Sequence, residues 1–462
     1  MFKPLFQMPT ISQRLNQFFL PYPNRPIIIA YSGGVDSQVL LHTLSALQQA
    51  GQLDNPISVL HVNHGLSRYA QAWQDFAELE CQRLGLPLTV SKVEVKPQPQ
   101  QSLEALAREA RYQAILAEAP DNALIVTGHH RDDQVETFLL ALKRGAGIKG
   151  LSAMSSEVKL GEHLLVRPLL EVSRQDILAC AEQRQLSWVE DESNQDSAFD
   201  RNFLRNEILP LLNQRWPGFT DTVKRSAEHC QEGQGLLDDL AELDLRACAH
   251  SADALALDEL SKLSRARFNN ALRYFLQQLG SLMPSTEQLN QVYQQMSAAQ
   301  DKTPAVKVGN NWLRRYQNRL YFTPDYQELA DWQTEFVFHS SLIEHKVNLP
   351  DSLGSLVFNH QQQEQQISFD PGSKNIFIRP PEKGQGIEIR FGHANPKCLP
   401  HFRQQRRPLK KVLQEMGIPS WQRKRIPFIY YGDTLVAAMG YFVCKEYLPQ
   451  PGQPQLNVLW LD

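Results

Sequence analysis

At 462 residues the chain is long enough for two or three domains, each with a core of its own. A hydrophobic share of 42% and a charged share of 21% describe an ordinary soluble protein, and a formal net charge of −3 excludes a uniformly basic surface, so any polyanion site must be a local patch. No apolar run approaches a membrane span, Met1-Phe2-Lys3-Pro4 lacks a signal-peptide core, and the six scattered cysteines form no C-x-x-C pair, which points to the cytoplasm.

The first informative stretch is Ile27-Ile28-Ile29-Ala30, a buried strand, running into Tyr31-Ser32-Gly33-Gly34-Val35-Asp36-Ser37 and an apolar-periodic segment. A strand, a glycine turn and a helix start make an anion site, because unpaired N–H groups point outward and glycine lets the backbone come close. Ser32, Gly33, Gly34, Val35, Asp36 and Ser37 are thus candidate ATP-phosphate ligands. Asp36 would repel a phosphate unless Mg²⁺ lay between them, which makes it the candidate metal residue. No Lys follows the last glycine as the Walker pattern requires.

Further strands are predicted at 57–62, from 88, at 124–127 and at 164–166, with helices at 72–84 and 103–119 between them. Strands separated by helices imply an α/β fold, a doubly wound parallel sheet whose ligands gather at the carboxyl ends of the strands. His61-Val62-Asn63-His64-Gly65 closes the second strand: either its backbone atoms hold an adenine, with Asn63 or His64 reaching a ligand and His61 and Asn63 as the candidate ATP residues, or the string is turn chemistry. Arg108 and Arg111 lie on the polar side of the 103–119 helix, with Glu104 and Arg108 as an (i, i+4) pair; one of the two arginines is the candidate phosphate clamp. Gly128-His129-His130-Arg131-Asp132-Asp133-Gln134-Val135-Glu136 leaves the fourth strand and enters a helix. The three-residue spacing puts Asp133 and Glu136 on a common face, near imidazoles able to accept protons and bind an amine. Lys143 to Leu151 is a basic glycine loop, with Arg144 able to hold pyrophosphate or RNA.

Beyond Pro210 the composition changes. Residues 219–250 read as a charged helical segment, 257–299 as two helices, and Trp312–Tyr316 with Leu320–Phe322 as a hairpin around Gln317-Asn318-Arg319. Residues 331–379 alternate short strand patterns with breaks, including a loop at Gln361-Gln362-Gln363. From Ile387 a small mixed domain is expected. Within it Arg403, Arg406, Arg407, Lys410, Lys411, Arg423, Lys424 and Arg425 stand against one acid, Glu415, with Trp421 among them. So lopsided a run on a near-neutral chain is the best candidate for phosphate-backbone contact.

The S-G-G-V-D-S string resembles the signature of the PP-loop ATP pyrophosphatase superfamily (the adenine-nucleotide α-hydrolase-like fold). That string, G-H-H-R-D-D-Q-V-E-T, R-G-A-G-I-K-G-L, Arg167-Pro168-Leu169-Leu170, Asp191-Glu192-Ser193-Asn194 and the segment Arg201 to Pro210 together resemble the tRNA(Ile)-lysidine synthases. Ala146 departs from the Ser frequent there. The resemblance implies ATP-dependent joining of free lysine to C2 of the wobble cytidine in an isoleucine tRNA with a CAU anticodon, through an adenylated cytidine, with release of pyrophosphate and AMP. It implies ATP with Mg²⁺ at Asp36, lysine binding and catalysis at His129, Asp133 and Glu136, and tRNA contacts at Arg144, Arg201, Arg205 and the C-terminal basic run. The expected organisation is a catalytic domain over 1–217, a helical middle domain over 218–330, connecting strands over 331–380 and a mixed α+β tRNA-binding domain over 381–462. A sibling tRNA thiolase, a small-molecule synthetase that adenylates a carboxylate, and a non-catalytic RNA binder are the rival readings; monomer and homodimer both stay open.

Overall fold

The computed structural model describes residues 10–65, 67–95, 103–296, 304–338, 344–361, 374–450 and 452–461. The chain divides into two compact units, Met1–Asp239 and Leu240–Asp462.

In the first unit α1 (Ile11–Phe19) precedes β1 (Ile27–Ala30), α2 (Val35–Gln49), β2 (Ile57–Asn63), α3 (Ala70–Leu84), β3 (Leu88–Lys92), α4 (Leu103–Glu118), β4 (Leu124–Val126), α5 (Arg131–Lys143), α6 (Ile148–Leu151), β5 (Glu157–Leu160), β6 (His163–Val166) and α7 (Arg174–Gln183). The strands form one sheet in the order β3-β2-β1-β4-β6-β5. All neighbours are parallel except β5, which returns antiparallel on β6. The doubly wound parallel sheet is therefore as expected. The edge strand β5 is an addition: only Leu160 among its residues escapes full exposure, so it carries no burial pattern to read. Ile27 and Ile29 pack on one face with Val39 and Leu40, while Ile28 packs on the other with Ile125 and Leu165. Burial on both faces is why β1 reads as an unbroken apolar run. After β1 the chain moves outward through β2 and β3, then returns to place β4 on the other side of β1. Strand order reverses between β1 and β4, and the loops leaving those strands diverge to open a crevice.

Beyond the sheet come α8 (Asp200–Phe203), a π turn (Leu204–Ile208), α9 (Leu209–Arg215) and the 30-residue α10 (Phe219–Cys248), within which the two units divide.

The second unit opens with β7 (Ala249–Ser251), β8 (Ala254–Ala256), α11 (Leu257–Leu260), α12 (Arg265–Gln278), α13 (Thr286–Met296), β9 (Ala305–Val308), β10 (Asn311–Tyr316) and β11 (Arg319–Pro324). Phe268, Leu272 and Leu276 of α12 pack on Leu313 and Leu320 of the sheet β7-β8-β11-β10-β9. The predicted hairpin is present but tighter than expected. Arg319 already pairs with Tyr316, and the turn is Gln317-Asn318 alone, with φ of 42° and 60°. Positive φ at both positions matches the twist of the flanking strands.

The chain then forms β12 (Gln333–Val337), β13 (Glu344–Asn348), β14 (Ser355–Gln361), β15 (Asn375–Ile378), β16 (Gly386–Arg390), β17 (Lys397–Cys398), β18 (Arg407–Pro408), α14 (Leu409–Glu415), α15 (Ser420–Arg423), β19 (Phe428–Tyr431), β20 (Thr434–Ala438), β21 (Phe442–Val443) and β22 (Gln455–Leu461). The described strands between residues 331 and 380 are not a separate connector. β12 pairs with β16, β14 pairs with the C-terminal strand β22, and Leu356, Phe358 and Ile376 share one core with Ile387, Ile389 and Ile429. Such partners lie far apart in sequence, and local alternation does not name them. Gln361 ends β14, while Gln362 and Gln363 lie outside the described residues. Among the described residues no helix is long and apolar enough to cross a membrane.

Candidate active site

A cleft of about 720 Å³ opens at the β1/β4 reversal, lined by the ends of β1, β2 and β4, the starts of α2 and α7, one side of α4, and the segment 188–206. Its floor is the turn after β1. Gly33 has φ +82°, a left-handed conformation, and a Cβ there would lie 2.8 Å from Val189 Cγ2. The Val189 N–H donates to the Gly33 carbonyl at 3.0 Å. Gly34 caps α2 without a side chain, so no side chain occupies the first-turn N–H groups. The Ser37 hydroxyl donates to the Gly34 carbonyl at 2.9 Å and lies 3.2 Å from the Ser32 hydroxyl.

This turn is fastened from beneath. The Tyr31 hydroxyl donates to Gln38 Oε1 at 2.5 Å, and Gln38 Nε2 donates to the buried Glu80 carboxylate at 2.6 Å. His42 Nε2 meets the same carboxylate at 2.8 Å. Burial alone would raise the Glu80 carboxyl; the hydrogen bonds from His42 and Gln38 outweigh it and hold the group below its ordinary value.

The second loop, after β4, presses against the first. A Cβ on Gly128 would stand 3.1 Å from the Asp36 carbonyl carbon and 3.2 Å from the Ser37 nitrogen, so glycine is what permits the approach. His130 then caps α5: its ring accepts from the Asp132 N–H at 3.2 Å, while Asp133 Oδ2 accepts from the His130 N–H at 2.9 Å. His130 Nε2 and Asp36 Oδ1, both buried and without a hydrogen-bond partner, face each other at 3.7 Å. Burial raises the Asp36 carboxyl, against the pull of His130 and Arg174. Burial would lower His130, but Asp132, Asp133 and Asp36 overcome that and hold its imidazole above the ordinary value. His129 behaves oppositely. Its Nδ1 lies 2.8 Å from the Thr127 hydroxyl, and burial takes its pKa down to about 4, so the ring is neutral at physiological pH.

Asp133 lines the cleft, and Arg205 Nη2 donates to its Oδ1 at 3.0 Å. Desolvation would raise its carboxyl, yet His130 and Arg205 hold it ionised at a lowered pKa. Glu136 is placed differently from expectation. It is fully buried and does not line the cleft; Arg205 donates to its two oxygens at 2.6 and 2.9 Å, and Arg201 Nε lies 3.1 Å away. Burial pushes Glu136 up, with Arg205 opposing. Asp133 and Glu136 do share a helix face, but only the first meets the ligand space; the second anchors two arginines. Arg201 and Arg205, expected as tRNA contacts, line the cleft. They come from α8 and the π turn that follows it, and π turns are frequent at functional sites.

On the far wall His61 Nδ1 meets the Tyr31 carbonyl at 3.1 Å, and burial lowers its pKa. Asn63 lines the cleft while its side chain is occupied in a turn, accepting from the Gly65 N–H at 3.0 Å and donating to Gln74 at 3.1 Å. Arg108 and Arg111 both line the cleft; Arg108 lies over the Tyr112 ring. The Glu104 side chain lies outside the described residues. Trp73, Tyr112, Arg174 and Trp188, which no motif singles out, also line the cleft, as does Asp191 of the Asp191-Glu192-Ser193-Asn194 string. Arg174 had a local signal: it follows Ser173, which caps α7 by accepting from the Asp176 N–H, at the carboxyl edge of the sheet.

Arg144 is exposed at the end of α5, its Nε donating to the Leu140 carbonyl at 3.1 Å. The C-terminal basic run is far less uniform than its sequence. Arg403 pairs with Glu415, Arg406 with Glu446, Arg425 with Asp351, and Lys424 with Glu328 at 2.9 Å. Arg423 donates to the Ile418 carbonyl at 2.6 Å and to the Tyr316 hydroxyl at 3.2 Å. Trp421 is buried, its ring 6.0 Å from Tyr316 and 5.5 Å from Tyr321. Arg407, Lys410 and Lys411 are exposed and form no ion pair among the described residues.

Comparison with known proteins follows the same division. A family profile described as a PP-loop domain matches residues 7–212, one described as the TilS substrate binding domain matches 255–321, and one described as the TilS substrate C-terminal domain matches 387–460. A tRNA(Ile)-lysidine synthase of Serratia proteamaculans is 43% identical over 95% of this chain and 96% of its own. One from Vibrio vulnificus is 40% identical over 92% of this chain and 94% of its own.

Proposed function

From the premise that this chain belongs to the tRNA(Ile)-lysidine synthase family, a group of ATP-dependent tRNA-modifying enzymes, we propose how its cleft carries out the two half-reactions. The carrying observation is the Gly128 contact. It brings the phosphate-binding turn of α2 and the acid-histidine start of α5 into one cleft, so a phosphate-activated group and an incoming amine meet there.

In the first step ATP lies along the β1–α2 turn. The 2-oxo oxygen of the wobble cytidine attacks the α-phosphorus, and the bond to the β-phosphate breaks with pyrophosphate taking the electron pair. First-turn N–H groups with Ser32 and Ser37 hold the phosphates. Asp36 suits a Mg²⁺ brought in on the nucleotide: its Oδ1 is buried and unpaired, and no group of three potential ligands exists among the described residues, as fits an ion held mainly by phosphate oxygens. Such an ion would shield phosphate charge during attack.

In the second step the ε-amine of lysine attacks C2 of the cytosine, the C2–O bond breaks, and AMP leaves with that oxygen. The attacking amine must first lose a proton. Asp133, ionised and facing the cleft, binds the ammonium; His129, neutral beside it, is the second candidate acceptor. Glu136 is a positioning residue that holds Arg201 and Arg205 over the site. The tRNA body is held partly by Arg407, Lys410 and Lys411. This reading carries a cytoplasmic location. A thiolase reading is disfavoured because no cysteine lines the cleft among the described residues.

The test is an incubation with ATP, Mg²⁺, lysine and unmodified CAU isoleucine tRNA, following AMP and the mass of the anticodon fragment. Lysine-dependent AMP release with one lysyl unit gained on the wobble cytidine is expected. AMP release without that gain would move the assignment to another adenylating reaction.

A further inference from the structure

Five arginines line the cleft: Arg108, Arg111, Arg174, Arg201 and Arg205. Arg201 and Arg205 are committed to Glu136, Asp133 and Thr137, and Arg108 lies over the Tyr112 ring with Nη2 at 3.5 Å from its hydroxyl. Arg174 differs. Its backbone is fixed, with its N–H donating to Asp132 Oδ2 at 2.9 Å, while its guanidinium forms no ion pair within 4 Å among the described residues. Its placement is set by packing. α7 lies against α2, and Ile177 and Ala181, on the turns below Arg174, join the core of Leu40, Leu41 and Leu44. After α7 the chain returns to the same turn, where Val189 meets Gly33. The segment from Ser173 to Val189 therefore packs on α2 through Ile177 and Ala181 and meets the phosphate-binding turn through Val189, with Arg174 in the cleft wall above that packing. From its side of the cleft Arg174 also acts electrostatically on Asp36.

We propose that Arg174 is a catalytic residue that binds the β- and γ-phosphates of ATP and stabilises pyrophosphate as it leaves. The inference rests on the adenylation reading above. As the bond from the α-phosphorus to the bridging oxygen breaks, negative charge accumulates on the departing pyrophosphate. A guanidinium fork is shaped to take up that charge with two parallel hydrogen bonds. The interaction strengthens as the bond lengthens, so it contributes more to the transition state than to ATP binding. The α-phosphate and adenosine, which stay on the cytidine as AMP, are held elsewhere in the cleft and do not involve Arg174.

The experiment compares wild type, Arg174→Ala and Arg174→Lys in the full-length protein. It measures affinities for AMP, ATP and inorganic pyrophosphate, and tRNA-dependent pyrophosphate–ATP exchange without lysine. Arg174→Ala should keep its AMP affinity within about twofold, weaken ATP and pyrophosphate about tenfold or more, and slow exchange by about 100-fold, the scale of losing one charge-stabilising donor. Arg174→Lys should fall between, since it keeps the charge but not the fork. Equal loss of AMP, ATP and pyrophosphate binding in both variants would assign Arg174 a merely structural role and overturn the proposal; so would unchanged pyrophosphate affinity and exchange. Absence of exchange in the wild type would instead defeat the adenylation reading itself.

Discussion

The cleft and the C-terminal basic run both place many charges within a short stretch of chain, and the fold uses them in opposite ways. In the cleft the charges converge. Asp36, His129, Asp133, Arg174, Arg201 and Arg205 come from α2, the β4–α5 loop, α5, α7, α8 and the π turn, yet all line one space. In the basic run eight cations lie close in sequence and then disperse, five of them into bonds with acids, carbonyls or a phenol. Charge density along a sequence therefore overstates a phosphate-binding surface and understates an active site. An ion pair neutralises a cation for long-range attraction, whereas a sheet's carboxyl edge gathers residues that sequence keeps apart.

The largest effect that sharpens this comparison is expected at Asp133. Asp133→Asn keeps an acceptor for the His130 N–H but removes the charge facing the cleft, so lysidine formation should fall by about 10³-fold or more while the melting curve moves little. Near-normal turnover in a mass-spectrometric assay would remove Asp133 from the chemistry.

The second test separates free cations from paired ones. Reversing charge at Lys410 and Lys411 together should weaken tRNA binding about tenfold or more at low salt and flatten its salt dependence by roughly two phosphate contacts. Arg425→Ala should do the reverse: it breaks the half-buried link to Asp351, costs about 1–3 kcal/mol of stability, and leaves tRNA affinity almost unchanged. Equal loss of affinity from both substitutions would mean that internal pairing does not decide which cations reach RNA.

A smaller effect concerns His130. Its folded pKa is raised, so its contribution to stability is complete below the unfolded value near ~6.5 and is lost as pH rises through the folded value. Wild type should thus lose melting temperature above about pH 6.5 relative to His130→Asn, whose side chain still offers an acceptor to the Asp132 N–H. Parallel melting profiles from pH 5.5 to 8.5 would show that the ring carries no such linkage. The smallest effect belongs to Lys424→Ala: the pair with Glu328 is well exposed, and the change should stay within about 0.5 kcal/mol.

What the sequence alone determined is local and close to the backbone. The apolar run of β1, the glycine turn, the helix start at Gly34 and the acid-histidine cluster after β4 are each contiguous. Their physics acts within a few residues, so the parallel sheet and the β1–α2 and β4–α5 halves of the site were legible. The tight turn at Gln317-Asn318 and the edge strand β5 were less so, because exposed residues carry no pattern of burial. Tertiary structure alone decided what depends on partners distant in the chain. It showed that Glu136 is sealed beneath Arg201 and Arg205, 65 or more positions away, and not open to ligand. It joined β12 to β16 and both β14 and β15 to the C-terminal strand β22, and buried Trp421 between two tyrosines of a preceding hairpin. It also set Arg174 in the wall of the cleft. Side-chain pairing and strand partnership are contacts through space, and a linear pattern of residue types carries the capacity for them without naming the partner.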